Sequence, residues 1–364
     1  MGLLINSPLI SKLFMPRIIS NRRIKIALVG LGRISKLHLE AIQQYSQQFE
    51  LVAVCDMQQT AVQEIANKYQ TLGFTNLEEM LNSISVDLLS ICTPSGLHPE
   101  QTMLAARYGC HVITEKPMAT LWQDGLEMVK ACHKNDVFLF VVKQNRWNKT
   151  IQHLKSALTN GRFGKIFLAS ANIFWSRSED YYKQGGWRGL RSMDGGAIMN
   201  QASHYVDLLH WLLGPVQSVG AMTGTLARNI ESEDTGVINL RWRSGALGTI
   251  NVTTLTYPDD KEGSITILGE QGTVKIAGKA LNEVQWWHFA KPQVIDETIA
   301  QLNYTTDSVY GFGHSDFYKN VIDTLQGNSL PLVDGHAGLA SLEVLIAAYR
   351  AARDNIVVNL PLEL

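Results

Sequence analysis

Ile24-Lys25-Ile26-Ala27-Leu28-Val29-Gly30-Leu31-Gly32-Arg33-Ile34-Ser35 decides the architecture. All but one of its first six residues are apolar, the pattern of a short buried strand. Two glycines follow, and a helical pattern then runs to about Tyr45. Gly30 permits a tight turn, and Gly32 lets the backbone come close to a pyrophosphate at the helix N-terminus that Arg33 and Ile34 open. The third glycine of such turns is absent; Ser35 stands there. A second apolar run, Leu51-Val52-Ala53-Val54-Cys55, ends at Asp56, 26 residues after Gly30. A carboxylate at that spacing accepts hydrogen bonds from both ribose hydroxyls and repels a 2′-phosphate, favouring NAD over NADP. The plainer alternative is a strand-end Asp capping the next helix.

The alternation continues outward. Residues 86–92 form another buried strand pattern, and Thr93-Pro94-Ser95-Gly96-Leu97-His98 turns into a helix over 98–108. His111-Val112-Ile113 is the next strand, closed by Thr114-Glu115-Lys116-Pro117. A residue before proline is pushed to extended geometry, so Lys116 stays at the strand end instead of entering a helix. A helix over 121–134 and a strand over 137–142 complete the set. Strands alternating with helices predict an α/β Rossmann domain, a doubly wound parallel sheet over residues 23–145. Thr93, Pro94, His98, Glu115 and Lys116 then lie on the carboxyl edge, where such sheets place their chemistry. Gln144-Asn145-Arg146-Trp147-Asn148 reaches the same edge. Gln144 or Asn145 could hold a nicotinamide carboxamide and Arg146 a substrate carboxylate or phosphate; turn formation and capping are the alternative for Asn145 and Asn148.

From residue 165 the texture changes. Stretches 165–175, 216–226, 235–243, 246–256, 264–268 and 273–276 read as strands without helices between them, which predicts an antiparallel sheet in a second, α+β domain over 146–364. Helices are expected over 196–213, 312–325 and 336–352, the last able to pack back on the first domain. Residues 282–311 show little periodicity. Residues 1–22 are weakly apolar, broken by Pro8 and Pro16, and read as a loose extension with Met15 as an alternative start.

With 364 residues, 45% hydrophobic, 18% charged and net charge −1, the chain has room for two ordinary domains. That balance argues against nucleic acid or a membrane surface as partner, and no run reaches the roughly 18 apolar residues of a span. Cys55, Cys92, Cys110 and Cys132 form no CxxC pair, which suits buried thiols in a reducing cytoplasm and no metal centre.

Two further stretches carry chemistry. In residues 195–207, Asn200 and His204 are four apart and so share one face of a helix, while Asp207 lies three beyond His204. A histidine titrating near neutrality suits proton transfer with a hydroxyl during hydride transfer. The alternative is a helix histidine satisfied by Asp207 at a domain junction. In residues 175–191, four basic side chains oppose two acidic ones among aromatics that include Tyr181 and Trp187, with Arg188 between. Such a loop suits an anionic ligand with a planar base, or else is a solvated loop with snorkelling cations.

The glycine turn, the Thr-Pro…His turn, Glu-Lys-Pro and the glycine pair leading to His204 resemble the glucose–fructose oxidoreductase/inositol dehydrogenase/MocA family from about residue 24 to the C-terminus. The resemblance implies a Rossmann domain joined to a large, open, mostly antiparallel sheet, and hydride transfer between NAD and a sugar or cyclitol. It makes Lys116 the lysine beside the reacting oxygen and His204 the acid/base histidine. Many members carry Asp four residues before that histidine; here it is Asn200, and an amide cannot change charge. Asn200-Gln201, with Trp187-Arg188-Gly189 upstream, resembles a narrower branch, the UDP-N-acetylglucosaminuronate 3-dehydrogenases of bacterial surface-polysaccharide pathways. That likeness places Trp187 and Arg188 toward the cofactor and Tyr181, Arg146, Asn200 and Gln201 toward a nucleotide sugar. It also implies a homodimer or homotetramer joined through the outer face of the open sheet. An inositol or free-sugar dehydrogenase is one rival reading, and an NAD-bound sensor or scaffold without catalysis is another.

Overall fold

The computed structural model describes residues 14–306 and 311–363. Short apolar runs form β1 (Ile24–Val29), β2 (Phe49–Cys55), β3 (Leu72–Phe74), β4 (Leu88–Ile91), β5 (His111–Thr114) and β6 (Leu139–Val141). They pair in the order β3-β2-β1-β4-β5-β6, every neighbour parallel. Helices on both faces bury β4 and β5 completely, which is why these strands are continuous apolar runs without alternation. The strand order reverses between β1 and β4, and that switch point opens a crevice beyond their carboxyl ends.

The second sheet comprises β7 (Ile166–Phe174), β8 (Val216–Gly224), β9 (Thr235–Trp242), β10 (Leu247–Thr253), β11 (Glu262–Gly269), β12 (Gly272–Ala277), β13 (Glu283–Phe289) and β14 (Val358–Asn359). Its order is β13-β12-β11-β7-β10-β9-β8-β14. Neighbours are antiparallel except β7 and β10, which run parallel. Ala169, Ala171 and Ile173 of β7 and Ile250 and Val252 of β10 are buried, whereas Ser170, Asn172, Thr249 and Asn251 between them are partly exposed. This period-two pattern marks a sheet covered on one face only. The covering side carries helices Ser203–Leu213 and Gly335–Asp354.

Helix Gly335–Asp354 joins the two domains, packing on β8 and also on helix Trp122–Lys134 of the first domain. Gly125 makes that crossing close: a Cβ there would lie 2.6 Å from Leu342 Cδ2. Helix Gly313–Leu325 likewise returns to the first domain, where Phe317, Tyr318 and Val321 pack with Leu39 and Phe49.

Two expectations change. Residues 1–13 lie outside the described chain, but 14–22 are not loose. Arg17 Nη2 and Arg22 Nη1 and Nη2 donate to the buried carboxylate of Asp87, and Ile19 N donates to Leu325 O. A buried carboxylate at the start of β4 needs compensating charge, and this segment supplies it. In the unplaced stretch 282–311, β13 pairs with β12 and a short helix, Val294–Thr298, follows; residues 307–310 lie outside the described chain.

Candidate active site

A cleft of about 470 Å³ opens beyond the carboxyl ends of β1 and β4, between the two domains. On its first-domain wall Gly30 adopts φ +89°, and a Cβ there would sit 2.6 Å from the Cys92 carbonyl carbon. Only glycine allows that approach. Gly32 faces open space, which leaves bare backbone toward the cleft, followed by Arg33 and Ile34. No side chain caps the helix Ser35–Gln44 that follows, and its first turn holds no acidic residue. Asp56 lines the same wall; its Oδ2 accepts from Leu31 N at 2.7 Å and its Oδ1 from Gln58 N at 2.9 Å. The carboxylate therefore braces the glycine turn and also faces the cleft. A helix N-terminus without a side-chain cap, bare backbone and a carboxylate at the end of β2 suits NAD.

Thr93, Pro94, His98, Glu115 and Lys116 also line the cleft. His98 is spent on the protein: its Nδ1 lies 2.9 Å from Pro117 O and its Nε2 2.9 Å from Thr93 O. The ring ties the turn after β4 to the Lys116–Pro117 strand end, and burial lowers its pKa. Glu115 Oε1 lies 3.0 Å from His38 Nε2 and 3.7 Å from His314 Nε2. Burial favours the neutral acid, but the two histidines outweigh it and hold Glu115 well below the usual carboxylate range. Ligand-type atoms of these three residues lie within 4.8 Å of one another. The direct Glu115–His38 bond makes the cluster a charge network, and no cation site is assigned.

Three expected site residues do not reach the cleft. Gln144 and Asn145 turn inward on a short 3₁₀ segment and are buried, with Gln144 Oε1 and Asn145 Oδ1 finding no hydrogen-bond partner among the described residues. Arg146 is buried too, its guanidinium forming a two-pronged bond with Asp207: Nε to Oδ2 at 2.8 Å and Nη2 to Oδ1 at 2.7 Å. Asp207 is thereby taken from His204 by a planar cation that matches both its oxygens.

The second-domain wall brings Asn200, Gln201 and His204 opposite Lys116. Lys116 Nζ donates to Asn200 Oδ1 at 3.1 Å and to Asn200 O at 3.3 Å. Burial lowers the Lys116 pKa; Glu115 and Asp194 oppose that, and Arg177 adds to it. The His204 side chain makes no hydrogen bond among the described residues. Burial, then the charge of Lys116, pushes its pKa well down, so the ring is neutral. The helix carrying it starts at Ser203, not 196. Gly196 lies against Glu233, where a Cβ would meet Oε2 at 2.1 Å, and Tyr349 Oη accepts from Gly196 N and Met199 N at 3.2 Å each. These contacts hold residues 197–202 in turns, so Asn200 precedes the helix.

Arg177, absent from the sequence-derived set, completes an aromatic-cationic wall with Tyr181, Trp187 and Arg188. The Arg188 guanidinium lies 4.4 Å from the Tyr181 ring and 4.5 Å from the Trp187 ring, and its Nη1 donates to Tyr181 Oη at 2.9 Å. Arg177 stands 5.2 Å from the Trp175 ring and pairs with Asp260. Asp194, also absent from that set, lines the cleft behind Asn200. Its place in a glycine-rich turn carried no sequence signal, whereas Arg177 stood within the basic-aromatic loop already singled out.

A parallel nucleotide-type domain, an open second sheet and a lysine–histidine pair facing one cleft define an oxidoreductase. The chain belongs to the Gfo/Idh/MocA oxidoreductase family: the NAD-binding Rossmann-fold model matches residues 24–143 and the C-terminal alpha/beta-domain model residues 155–360. It resembles the WlbA dehydrogenase of Bordetella pertussis, solved with NADH and UDP-GlcNAcA, with 54% identity, TM-score 0.92, and coverage of 95% of this chain and 100% of that one. The WlbA dehydrogenase of Chromobacterium violaceum, solved with the same two ligands, is 51% identical with TM-score 0.92, covering 97% of this chain and 100% of that one. The myo-inositol 2-dehydrogenase of Thermotoga maritima is more distant, 27% identical over 69% of this chain and 74% of its own length.

Proposed function

We propose that this chain is an NAD-dependent dehydrogenase that oxidises the carbon-3 hydroxyl of a UDP-N-acetyl-hexuronate, a cytoplasmic step of surface-polysaccharide biosynthesis. The observation that carries the reading is one cleft lined from both domains: Lys116 and His204 share it with Arg177 and Arg188, which stand among Trp175, Tyr181 and Trp187. Ligands named for the WlbA structures of half-identical sequence have the chemistry those walls suit. In this reading residues 23–145 hold the cofactor and 146–364 hold the sugar.

NAD, held by the residues of the first-domain wall, would supply the hydride acceptor for carbon 3. Neutral His204 takes the hydroxyl proton on a ring nitrogen. The Lys116 ammonium donates a hydrogen bond to the same oxygen as it becomes a carbonyl, stabilising the charge that develops there. Gly30, Gly32, Arg33, Ile34 and Asp56 hold the dinucleotide, with Thr93 and Pro94 beside it and the Trp187–Arg188 loop closing over it. Tyr181, Asn200 and Gln201 orient the sugar nucleotide, and Arg177 pairs with its anionic part. The outer face of the second sheet, where Leu168, Met222 and Leu247 are exposed, is the surface for a homodimer or homotetramer.

Absorbance at the NADH band, with purified protein, NAD and UDP-N-acetylglucosaminuronate, tests the reading; 2-oxoglutarate in a parallel run serves as acceptor for any retained hydride. Turnover with the nucleotide sugar and none with myo-inositol is expected. Turnover with myo-inositol alone would overturn the substrate assignment.

A further inference from the structure

Asn200 stands where the family resemblance puts an aspartate in many members, and a buried carboxylate, Asp194, lies directly behind it. Its Nδ2 donates to Asp194 Oδ1 at 2.6 Å, while its Oδ1 accepts from Lys116 Nζ at 3.1 Å. Asp194 is 3% exposed, and its other oxygen accepts from Gly189 N at 3.0 Å. A carboxylate only accepts hydrogen bonds and an ammonium only donates them. An amide between the two is fully satisfied in one orientation alone, oxygen toward Lys116 and nitrogen toward Asp194. Reversing it would set two acceptors and two donors against each other inside the protein, and an unmade bond to a buried charged group is costly.

We infer that Asp194 is a positioning residue for the dehydrogenase reaction: it locks the Asn200 amide so that Lys116 Nζ stays aimed at the reacting oxygen. Asp194 supplies its negative charge to Lys116 at one remove, through Asn200, where many relatives place a carboxylate directly. The chain Gly189–Asp194–Asn200–Lys116 also ties the loop that carries Trp187 and Arg188 to the catalytic ammonium. This rests on the proposed role of Lys116.

The test compares Asp194→Asn, Asn200→Ala and the exchange D194N/N200D in the full chain, by steady-state kinetics against pH and by NAD affinity. Asp194→Asn should lower kcat on the order of 10- to 100-fold, the scale of a small misplacement of a reacting group, with NAD affinity unchanged. Losing the nearby charge makes Lys116 easier to deprotonate, so the alkaline limb of kcat should move to lower pH. The exchange puts a carboxylate directly on Lys116; it should recover most of kcat and move that limb above its wild-type position. Asn200→Ala cuts the relay without touching the Gly189 bond, and in that background D194N should add no further loss. It serves alone where D194N does not fold, since it should show the same downward shift of the limb. A loss of thermal stability with an unmoved limb and no recovery in the exchange would overturn the relay. If the wild-type chain turns over no nucleotide sugar, the functional reading fails separately. The relay is then judged without substrate, from the titration of ¹³C-methylated Lys116 followed by NMR in wild type and D194N. A lower Lys116 midpoint in D194N supports it, and an unchanged midpoint ends it.

Discussion

Asp207 gives both carboxylate oxygens to Arg146, at 2.7 and 2.8 Å, and none to His204 three residues before it. Lys143 Nζ stands 3.6 Å from the same Asp207 and donates to Ser341 Oγ, so two buried cations share one anion beside the helix that carries His204. Burial first, then the charges of Lys116 and Lys143, disfavour a second proton on His204, against the opposing pull of Glu115 and Asp207. Local chain geometry brought Asp207 within reach of the histidine, but the planar fork of Arg146 offers it a better match.

Arg146→Met should therefore behave as a stability mutant. It leaves Asp207 buried with only Lys143 for compensation, a loss of about 3 kcal/mol on the scale of broken buried pairs. Chemical denaturation should show that loss, and KM for the sugar nucleotide should stay near wild type in the folded protein. A large rise in KM with full stability would return Arg146 to the binding site.

Lys116→Ala removes the donor that meets the developing carbonyl. Turnover should fall on the order of 10²-fold or more while NAD affinity, read by quenching of tryptophan fluorescence, changes little. Near-wild-type turnover would end the proposed mechanism.

His204→Gln keeps hydrogen bonding but cannot carry a proton, and should cost on the order of 10²- to 10⁴-fold in kcat. In the wild type His204 must be neutral to act as base. Its pKa is held well below the ordinary value of 6.5, so the acid limb of the pH profile should lie well below neutrality. An acid limb near pH 7 would mean that another group titrates.

Asp56→Ala removes the carboxylate that faces the cleft and also its bond to Leu31 N. NADP should then compete with NAD far better than in the wild type, read as the ratio of kcat/KM for the two cofactors. An unchanged ratio would leave Asp56 as a brace of the glycine turn alone.

Glu233, buried against Gly196, has its pKa pushed up to about 7, chiefly by burial. A carboxyl whose folded pKa lies above its unfolded value is most favourable to the fold at low pH. That contribution declines as pH rises from about 4.5 to 7, by an amount on the order of 2–3 kcal/mol. Glu233→Gln keeps an acceptor for Ile198 N and should lose this pH dependence, gaining on the wild type in Tm above pH 7. Parallel Tm curves for the two proteins would contradict the assignment.

Most of the fold was legible because its signals are local. Buried strands announced themselves as apolar runs, Gly30 and Gly32 marked the turn, and successive strands without helices between them marked a mostly antiparallel second sheet. β3 has three residues and no branched run, and β13 lies in a stretch whose tryptophans mask its period, so neither was visible. The start of the helix that carries His204 was missed because Tyr349 and Glu233, distant in sequence, hold residues 197–202 in turns.

The candidate site divides in the same way. That Lys116, His204, the glycine turn and Asp56 line one cleft was legible in the sequence, since short motifs at strand and helix ends set them and the handedness of α/β connections brings the strand ends to one edge. What each polar group faces was decided only by the tertiary structure. Arg146, Gln144 and Asn145 follow the right strand yet turn inward, and Asp207 belongs to Arg146. Arg177 reaches the cleft from another domain, and Asp194 reaches Lys116 through Asn200. Hydrogen bonds and ion pairs are satisfied over a few ångströms in space, whereas spacing along a chain constrains only neighbours, so partner choice waited for the two domains to close on each other.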